Sequence, residues 1–290
     1  MKTLVFGSLN IDHVYHLPHV LRPGETLPSL SYQRNSGGKG LNQAIALARA
    51  GQEVWFAGGV GADGLFLSDA LAAEGVDVRL VRQTQTPTGH AVIYVDAQGG
   101  NSIVLYGGAN QCVTREMIGQ VLEKCSPGDL VLLQNEVNLV PDMIRAARAK
   151  GLRVALNPSP AAPEMRDWPL EMVDWLLLNE VEGHDLTGCT DPDDILDTLL
   201  SRYPACRVVL TLGSDGAAYA DAGQRMRQAA MQVEAVDTTA AGDTFTGYFL
   251  HTILSGGTAE QALLRATQAS AIAVGRPGAS ASIPRADELP

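Results

Sequence analysis

Leu130-Val131-Leu132-Leu133 leads into the amphipathic pattern Pro141–Lys150 and then into Val154-Ala155-Leu156. A strand apolar on both faces, a helix and a second such strand make one β-α-β crossover. Strands joined this way run parallel in a sheet covered on both faces. The alternation continues outward. Thr3–Phe6 and Val54–Ala57 flank the pattern Leu41–Ala50, Leu65–Glu74 follows, and Trp175–Leu178 and Val208–Leu212 flank Asp193–Tyr203. The expected fold is a three-layer α/β/α sandwich around a central, mostly parallel sheet. Ligands bind such sheets beyond the carboxyl ends of the strands. Here those ends carry Asn10 and Asp12, Glu136, Asn157, Asn179 and Thr211.

Two segments break the rhythm. Residues 12–33 contain Pro18, Pro23-Gly24 and Pro28, and residues 89–106 place His90–Val95 and Ser102–Tyr106 around Gly99-Gly100-Asn101, a hairpin pattern. Together they are expected to form a small antiparallel sheet that projects as a lid. The core then comprises 1–11, 34–88 and 107–290. Two ordinary surface excursions fit the same residues. An apolar strand pattern on a projecting sheet needs cover, so a homodimer through the lids is expected.

With 46% hydrophobic residues among 290, the chain can bury a sizeable core. A formal charge of −11 argues against nucleic acid or an anionic membrane as the main partner. Cys112, Cys125, Cys189 and Cys206 show no C-x-x-C spacing. They read as reduced thiols of a cytoplasmic protein. The start, Met1–Gly7, lacks the apolar length of a signal peptide, and no run approaches a membrane span.

Three motifs carry chemistry. Asp237-Thr238-Thr239-Ala240-Ala241-Gly242-Asp243-Thr244-Phe245 runs from the strand-like stretch Met231–Val236 into the helical pattern Asp243–Leu254. Small residues before a helix admit a ligand to the bare N–H groups of its first turn, a setting suited to phosphoryl charge. Asp243 stands at that mouth, where a carboxylate can take a proton from an attacking hydroxyl. On local pattern alone, a plain acid at a helix start is the slightly readier reading. Gly37-Gly38-Lys39-Gly40-Leu41-Asn42-Gln43-Ala44 again opens a helix with glycines, and Lys39 and Asn42 offer donors suited to sugar hydroxyls. It is not a Walker A loop. Asn179-Glu180-Val181-Glu182 can hold a hydrated Mg²⁺ near phosphates; helix capping by Asn179 reads as readily. Gly59-Val60-Gly61-Ala62-Asp63-Gly64 satisfies G-x-G-x-x-G, but Asp77 precedes the next apolar run instead of ending it, which speaks against a dinucleotide site. His13, His16 and His19 fall in the lid segment beside Pro18 without a fourth zinc ligand.

In this order and spacing, over nearly the whole chain, Gly7-Ser8-Leu9-Asn10-Ile11-Asp12, Pro23-Gly24-Glu25-Thr26, Gly37–Ala44 and Asp237–Phe245 resemble the ribokinase-like (PfkB-type) carbohydrate kinase family. The resemblance implies an α/β sandwich with a β-sheet lid, and transfer of the γ-phosphoryl group of ATP to a primary hydroxyl of a small furanose. It implies that Asp243 is the general base and that Ala240, Ala241 and Gly242 form the anion hole. Asn10, Asp12, Gly38, Lys39, Asn42 and Glu136 match sugar-binding positions. Asn179, Thr211, Gly213, Gly216, Gly242 and Thr267 match nucleotide contacts, and Glu182 the position tied to Mg²⁺ through water. Asp237, Thr239, Ala273, Arg276, Gly278 and Ser282 match a monovalent cation site, occupied by K⁺. Ala240-Ala241-Gly242-Asp243, Asn10-x-Asp12 and Gly108-Ala109-Asn110 look most like the ribokinase branch, while Asn135, Leu41 and Thr239 depart from its usual Leu, Ala and Ile. These departures leave deoxyribose, fructose or a nucleoside open as acceptor, and a non-catalytic sugar or nucleotide sensor open as the alternative to a kinase.

Overall fold

The computed structural model describes residues 1–98 and 100–290, so the Gly99 position of the expected hairpin turn lies outside them. In chain order the first elements are β1 (Thr3–Phe6), β2 (Asn10–His16), β3 (Ser31–Gly37), α1 (Lys39–Ala50), β4 (Val54–Val60), α2 (Leu65–Ala73), β5 (Asp77–Gln83), β6 (Gly89–Val95) and β7 (Asn101–Tyr106). Next come α3 (Arg115–Leu122), β8 (Leu130–Gln134), α4 (Val140–Ala149), β9 (Arg153–Asn157), β10 (Trp175–Asn179), α5 (Glu180–Thr187), α6 (Pro192–Arg202) and β11 (Arg207–Thr211). The chain closes with β12 (Ala217–Ala220), β13 (Arg225–Gln228), α7 (Ala241–Leu254) and α8 (Ala259–Val274).

Among the described residues, nine strands form the larger sheet in the order β13-β12-β11-β10-β9-β8-β1-β4-β5. From β11 to β5 neighbours are parallel, and β12 and β13 add an antiparallel edge. Alternate strand residues feed two cores. Phe6, Leu133, Leu156 and Leu178 pack with Ile118, Ile144 and Ile195 of α3, α4 and α6. Val5, Leu132, Leu177 and Val209 pack with Leu41, Leu67, Phe249 and Leu263 of α1, α2, α7 and α8. Each such side chain contributes about 1.5–3 kcal/mol by leaving water. That gain on both faces explains why the strands read as unbroken apolar runs.

The second sheet has the order β3-β2-β6-β7. It is mixed rather than antiparallel, because β2 pairs with β6 in parallel from Asn10↔Gly89 to His16↔Val95. Both strands follow parallel core strands, β1 and β5, and so leave the same edge of the core heading the same way. β2 begins at Asn10 and β3 ends at Gly37, so this pair of strands extends beyond the 12–33 segment at both ends.

The expected strand over Met231–Val236 does not form. The N–H groups of Val236 and Asp237 both donate to Val274 O, which ties the segment to the end of α8 instead of to a strand edge. The extended ribbon before α7 is β12–β13.

Candidate active site

At the start of α7, Ala240 takes the left-handed conformation with φ 60°, and no side chain caps the helix. The Ala241 N–H donates to Thr238 O at 3.2 Å, and the Thr244 N–H donates to Ala240 O at 2.8 Å. Among the described residues the N–H groups of Gly242 and Asp243 meet no acceptor. Bare donors at the positive end of a helix dipole favour an anion. Asp243 is 7% exposed. Its Oδ2 accepts from Asn42 Nδ2 at 3.0 Å and its Oδ1 from Gln43 Nε2 at 2.9 Å. The first turns of α1 and α7 therefore meet on the acid.

Gly40 brings α1 there. A Cβ at that position would lie 2.4 Å from Ser8 N, so only glycine lets the helix approach β1 so closely. The Lys39 N–H donates to Glu136 Oε2 at 2.9 Å, and Ser8 Oγ donates to the same oxygen. Burial opposes the Lys39 ammonium, but the charges of Asp243, Glu136 and Glu182 outweigh it and raise its pKa. Burial, reinforced by Asp243, pushes the Glu136 carboxyl up against the opposing effects of Ser8 and Lys39. Asn10 is buried, and its Oδ1 accepts from Asn110 Nδ2 at 2.7 Å, which leaves its own amide hydrogens for a ligand. Gly38, with φ 98°, packs against Asn10 N and Ser8. Asp12 lies over the bare Cα of Gly37, and no donor among the described residues reaches its carboxylate. Burial first, then the Glu136 charge, pushes it up to about 7.

Beyond Asp243 lie two neighbouring cavities that share lining residues. One, of about 210 Å³, is lined by Lys39, Asn179, Glu182, Gly242 and Asp243. The other, of about 380 Å³, is lined by Gly213, Gly216, Val233 and Thr267. Thr211, Thr238, Gly242 and Phe245 border both. The Thr267 Oγ1 is buried without a partner beside the second cavity. The capping role of Asn179 is realised. Its Oδ1 accepts from the Glu182 N–H at 2.9 Å, and Glu182 Oε2 accepts from the Asn179 N–H at 3.0 Å. That reciprocal box fixes Glu182 against the cleft wall, so capping and a place at the cleft coexist.

Asp237 joins two loops. Its Oδ1 accepts from the Thr239 N–H at 2.8 Å and its Oδ2 from the Gly278 N–H at 2.9 Å. Burial acts to raise this carboxyl, but the bonds from Thr239 and Gly278 win and hold it below the usual range. Ala273 is buried, and its carbonyl accepts from the Arg276 N–H at 3.0 Å. Ser282 is fully buried with its Oγ on Ala279 O, and the Arg276 guanidinium pairs with Glu288.

The G-x-G-x-x-G turn is filled by the chain itself. The Gly61 N–H donates to Thr88 Oγ1, Thr88 donates twice to Asp63, and a Cβ at Gly59 would lie 2.4 Å from Ala109 O. His13 stacks on Tyr32 and His19 pairs with Glu25, both away from the cleft. Sequence reasoning marked Asn157 only as a polar strand end and gave no role to Gln43 or Gln134; the fold gathers all three around Asp243. A glutamine closing the apolar run Leu130–Leu133 was the available signal.

The model of the pfkB family of carbohydrate kinases matches residues 2–286. The ribokinase of Haemophilus influenzae is 37% identical, covering 99% of this chain and 97% of its own. The deoxyribokinase of Salmonella typhi is 31% identical, with 100% and 97% covered. The structure of the Arabidopsis thaliana ribokinase complexed with ribose and ATP superimposes with a TM-score of 0.85 at 30% identity, over 99% of this chain and 96% of that one. A family match of this extent, on a chain whose cleft gathers Lys39, Asp243 and the bare start of α7, places it: the chain belongs to the pfkB family of carbohydrate kinases.

Proposed function

We propose that the chain phosphorylates a small furanose at its primary hydroxyl with ATP, converting D-ribose to D-ribose 5-phosphate and ADP. The observation that carries this reading is the placing of Asp243. Its carboxylate is hydrogen-bonded to Asn42 of the sugar-side helix and lines the same cavity as Asn179 and Gly242. Asn10 as donor, Asp12 as acceptor, and Lys39, Asn42 and Glu136 with Gly38 backbone hold the sugar's hydroxyls. Asn179, Thr211, Gly213, Gly216 and Thr267 hold the nucleotide along the two neighbouring cavities. Asp243 accepts the proton of the attacking hydroxyl. The free N–H groups at Gly242 and the Ala240–Ala241 turn, with the Lys39 ammonium, stabilise the charge on the transferring group.

Glu182, anchored by its cap and buried at the cleft, fits a hydrated Mg²⁺ that accompanies ATP and shields phosphate charge. Asp237, the carbonyls near Ala273, Arg276 and Gly278, and the Thr239 and Ser282 hydroxyls form a set of hard oxygen donors suited to K⁺. Asp237 already binds both loops, so a cation there sets the shape of the turn that ends at Ala240. We place the enzyme in the cytoplasm as a homodimer joined through its lids, with 12–33 and 89–106 as the lid and 1–11, 34–88 and 107–290 as the core. None of the helices is long and apolar enough to cross a membrane among the described residues.

An ATP-consumption assay over ribose, 2-deoxyribose, fructose and nucleosides, each with K⁺ and with a bulky organic cation, tests the reading. The highest kcat/KM belongs to ribose and rises with K⁺. Turnover confined to another acceptor shifts the substrate, and no ATP use with any acceptor replaces the kinase by a sensor.

A further inference from the structure

We infer that Gln43 is a positioning residue for the Asp243 carboxylate, and that Asn157 and Gln134 dictate which end of its amide meets the acid. The inference rests on the kinase reading. A primary amide has one accepting and one donating end, and its neighbours decide which way it lies. The ordering starts from a group that can only accept. Asn157 Nδ2 donates to the backbone carbonyl of Leu177 at 2.9 Å, so its Oδ1 is turned toward Gln43. Gln43 must then present Nε2, which donates to Asn157 Oδ1 at 2.9 Å and to Asp243 Oδ1 at 2.9 Å. Its Oε1 faces the other way and accepts from Gln134 Nε2 at 2.7 Å. Gln134 and Asn157 are register partners at the ends of β8 and β9, so the sheet itself supplies the spacing.

With Asn42 on Oδ2 and Gln43 on Oδ1, both carboxylate oxygens are held and the plane of the acid is fixed. What remains of its accepting capacity is aimed by these two amides. The arrangement is not the one a core would adopt for stability. Gln43 and Gln134 are fully buried, and Gln134 Oε1 has no partner. An unpartnered buried polar atom carries a desolvation penalty that an apolar side chain of similar size escapes.

The test compares Gln43→Met, Gln134→Met, the double variant, Gln134→Glu and Asp243→Asn for kcat, for KM of ribose and ATP, and for Tm. Gln43→Met is expected to lower kcat roughly 10–100-fold, the scale of a small misplacement of a reacting group, with both KM values within about twofold. Gln134→Met lowers kcat less, exchanges one unpartnered buried oxygen, its own Oε1, for another, Gln43 Oε1, so that Tm changes little, and adds no further loss to Gln43→Met. Wild-type kcat in a folded Gln43→Met protein, or a loss of kcat that tracks Tm through the whole series, overturns the inference. Should Gln43→Met not fold, Gln134→Glu carries the test. It keeps the volume but presents an acceptor, turning the Gln43 oxygen toward Asp243. A lower kcat at unchanged KM supports the inference, and an unchanged kcat overturns it. Asp243→Asn separates the two readings. It is expected to lose roughly 10²–10⁴ in kcat. Wild-type turnover there removes the base itself, whereas loss there beside an unaffected Gln43→Met sinks only the positioning role.

Discussion

Asp12 carries an acid that has been taken out of water and given no donor in return. Its carboxyl stands at about 7 against an ordinary 3.8, first through burial and then through the charge of Glu136. A folded-state pKa raised in this way favours the neutral form. The favourable contribution to stability is complete below pH 3.8, falls as pH rises through that window, and is gone above about 7. Sugar hydroxyls reverse the preference, because hydrogen bonds donated to a carboxylate stabilise its charge. Ribose affinity should therefore tighten about tenfold from pH 6 to pH 8, the change in ionised fraction of a group titrating near 7. The ribose-induced rise in Tm should likewise be larger at pH 8 than at pH 5.5. Calorimetric titration and thermal denaturation, with and without ribose, measure both. Asp12→Asn should weaken binding and flatten the pH dependence; an unchanged slope in that variant would move the titration to Glu136, the neighbouring carboxyl whose charge raises that of Asp12.

Two glycines on α7, five residues apart, show how one helix serves both folding and chemistry. At Gly247 a Cβ would lie 2.4 Å from Ala46 Cβ and 2.8 Å from Leu47 N, and neither atom is the tip of a flexible side chain. The α1–α7 packing that puts Asn42 and Gln43 against Asp243 depends on that gap. At Gly242 nothing lies within 4 Å, because the space is the cleft. Gly247→Ala should thus cost about 1–3 kcal/mol of overpacking, outweighing the gain of about 1 kcal/mol in helix propensity, and should lower kcat with it. Gly242→Ala should keep or raise Tm while kcat/KM for ATP falls, since its methyl group enters the phosphate space. Denaturation melts and steady-state kinetics separate the pair, and equal behaviour of the two variants would contradict the packing argument. The same contrast explains what could be read along the chain. Strands buried on both faces announce themselves as apolar runs, and the small-residue turn Ala240–Gly242 announces a helix start with free N–H groups. The stretch Met231–Val236 has the residues of a strand but no edge to join, so composition misleads there. Gln43, Gln134 and Asn157 belong to three elements that meet only after folding; the polar residues that close two apolar runs hint at strand ends, but no local pattern names their partners. Asn179 was legible both as a cap and as a cleft residue because it is both.

Over the surface of the molecule as a whole, a run of consecutive apolar side chains lies exposed on the edge of the small sheet. On β7, Ile103, Val104, Leu105 and Tyr106 are 54, 62, 56 and 47% exposed, and Tyr32 on the opposite edge strand of the same sheet is 49% exposed. A sheet edge with unpaired backbone groups and apolar side chains on both faces is a template for another strand or sheet unless it is covered. A second copy of the same four-stranded sheet offers an apolar face of matching character, and closed twofold pairing would cover both at once. It would also stiffen β2, the strand that carries Asp12. We expect a dimer at micromolar concentration by sedimentation velocity. Ile103→Glu with Leu105→Glu should give a monomer whose core melts within a few degrees of wild type, because both side chains are already more than half exposed. On the proposed function, with the small sheet as lid over the sugar, the monomer should show a raised KM for ribose, while the cavity beside α7 and α8 should leave KM for ATP unchanged. A wild-type monomer at tens of micromolar would leave the lid face to some other partner. A dimer that survives both charges would place the contact elsewhere on the surface.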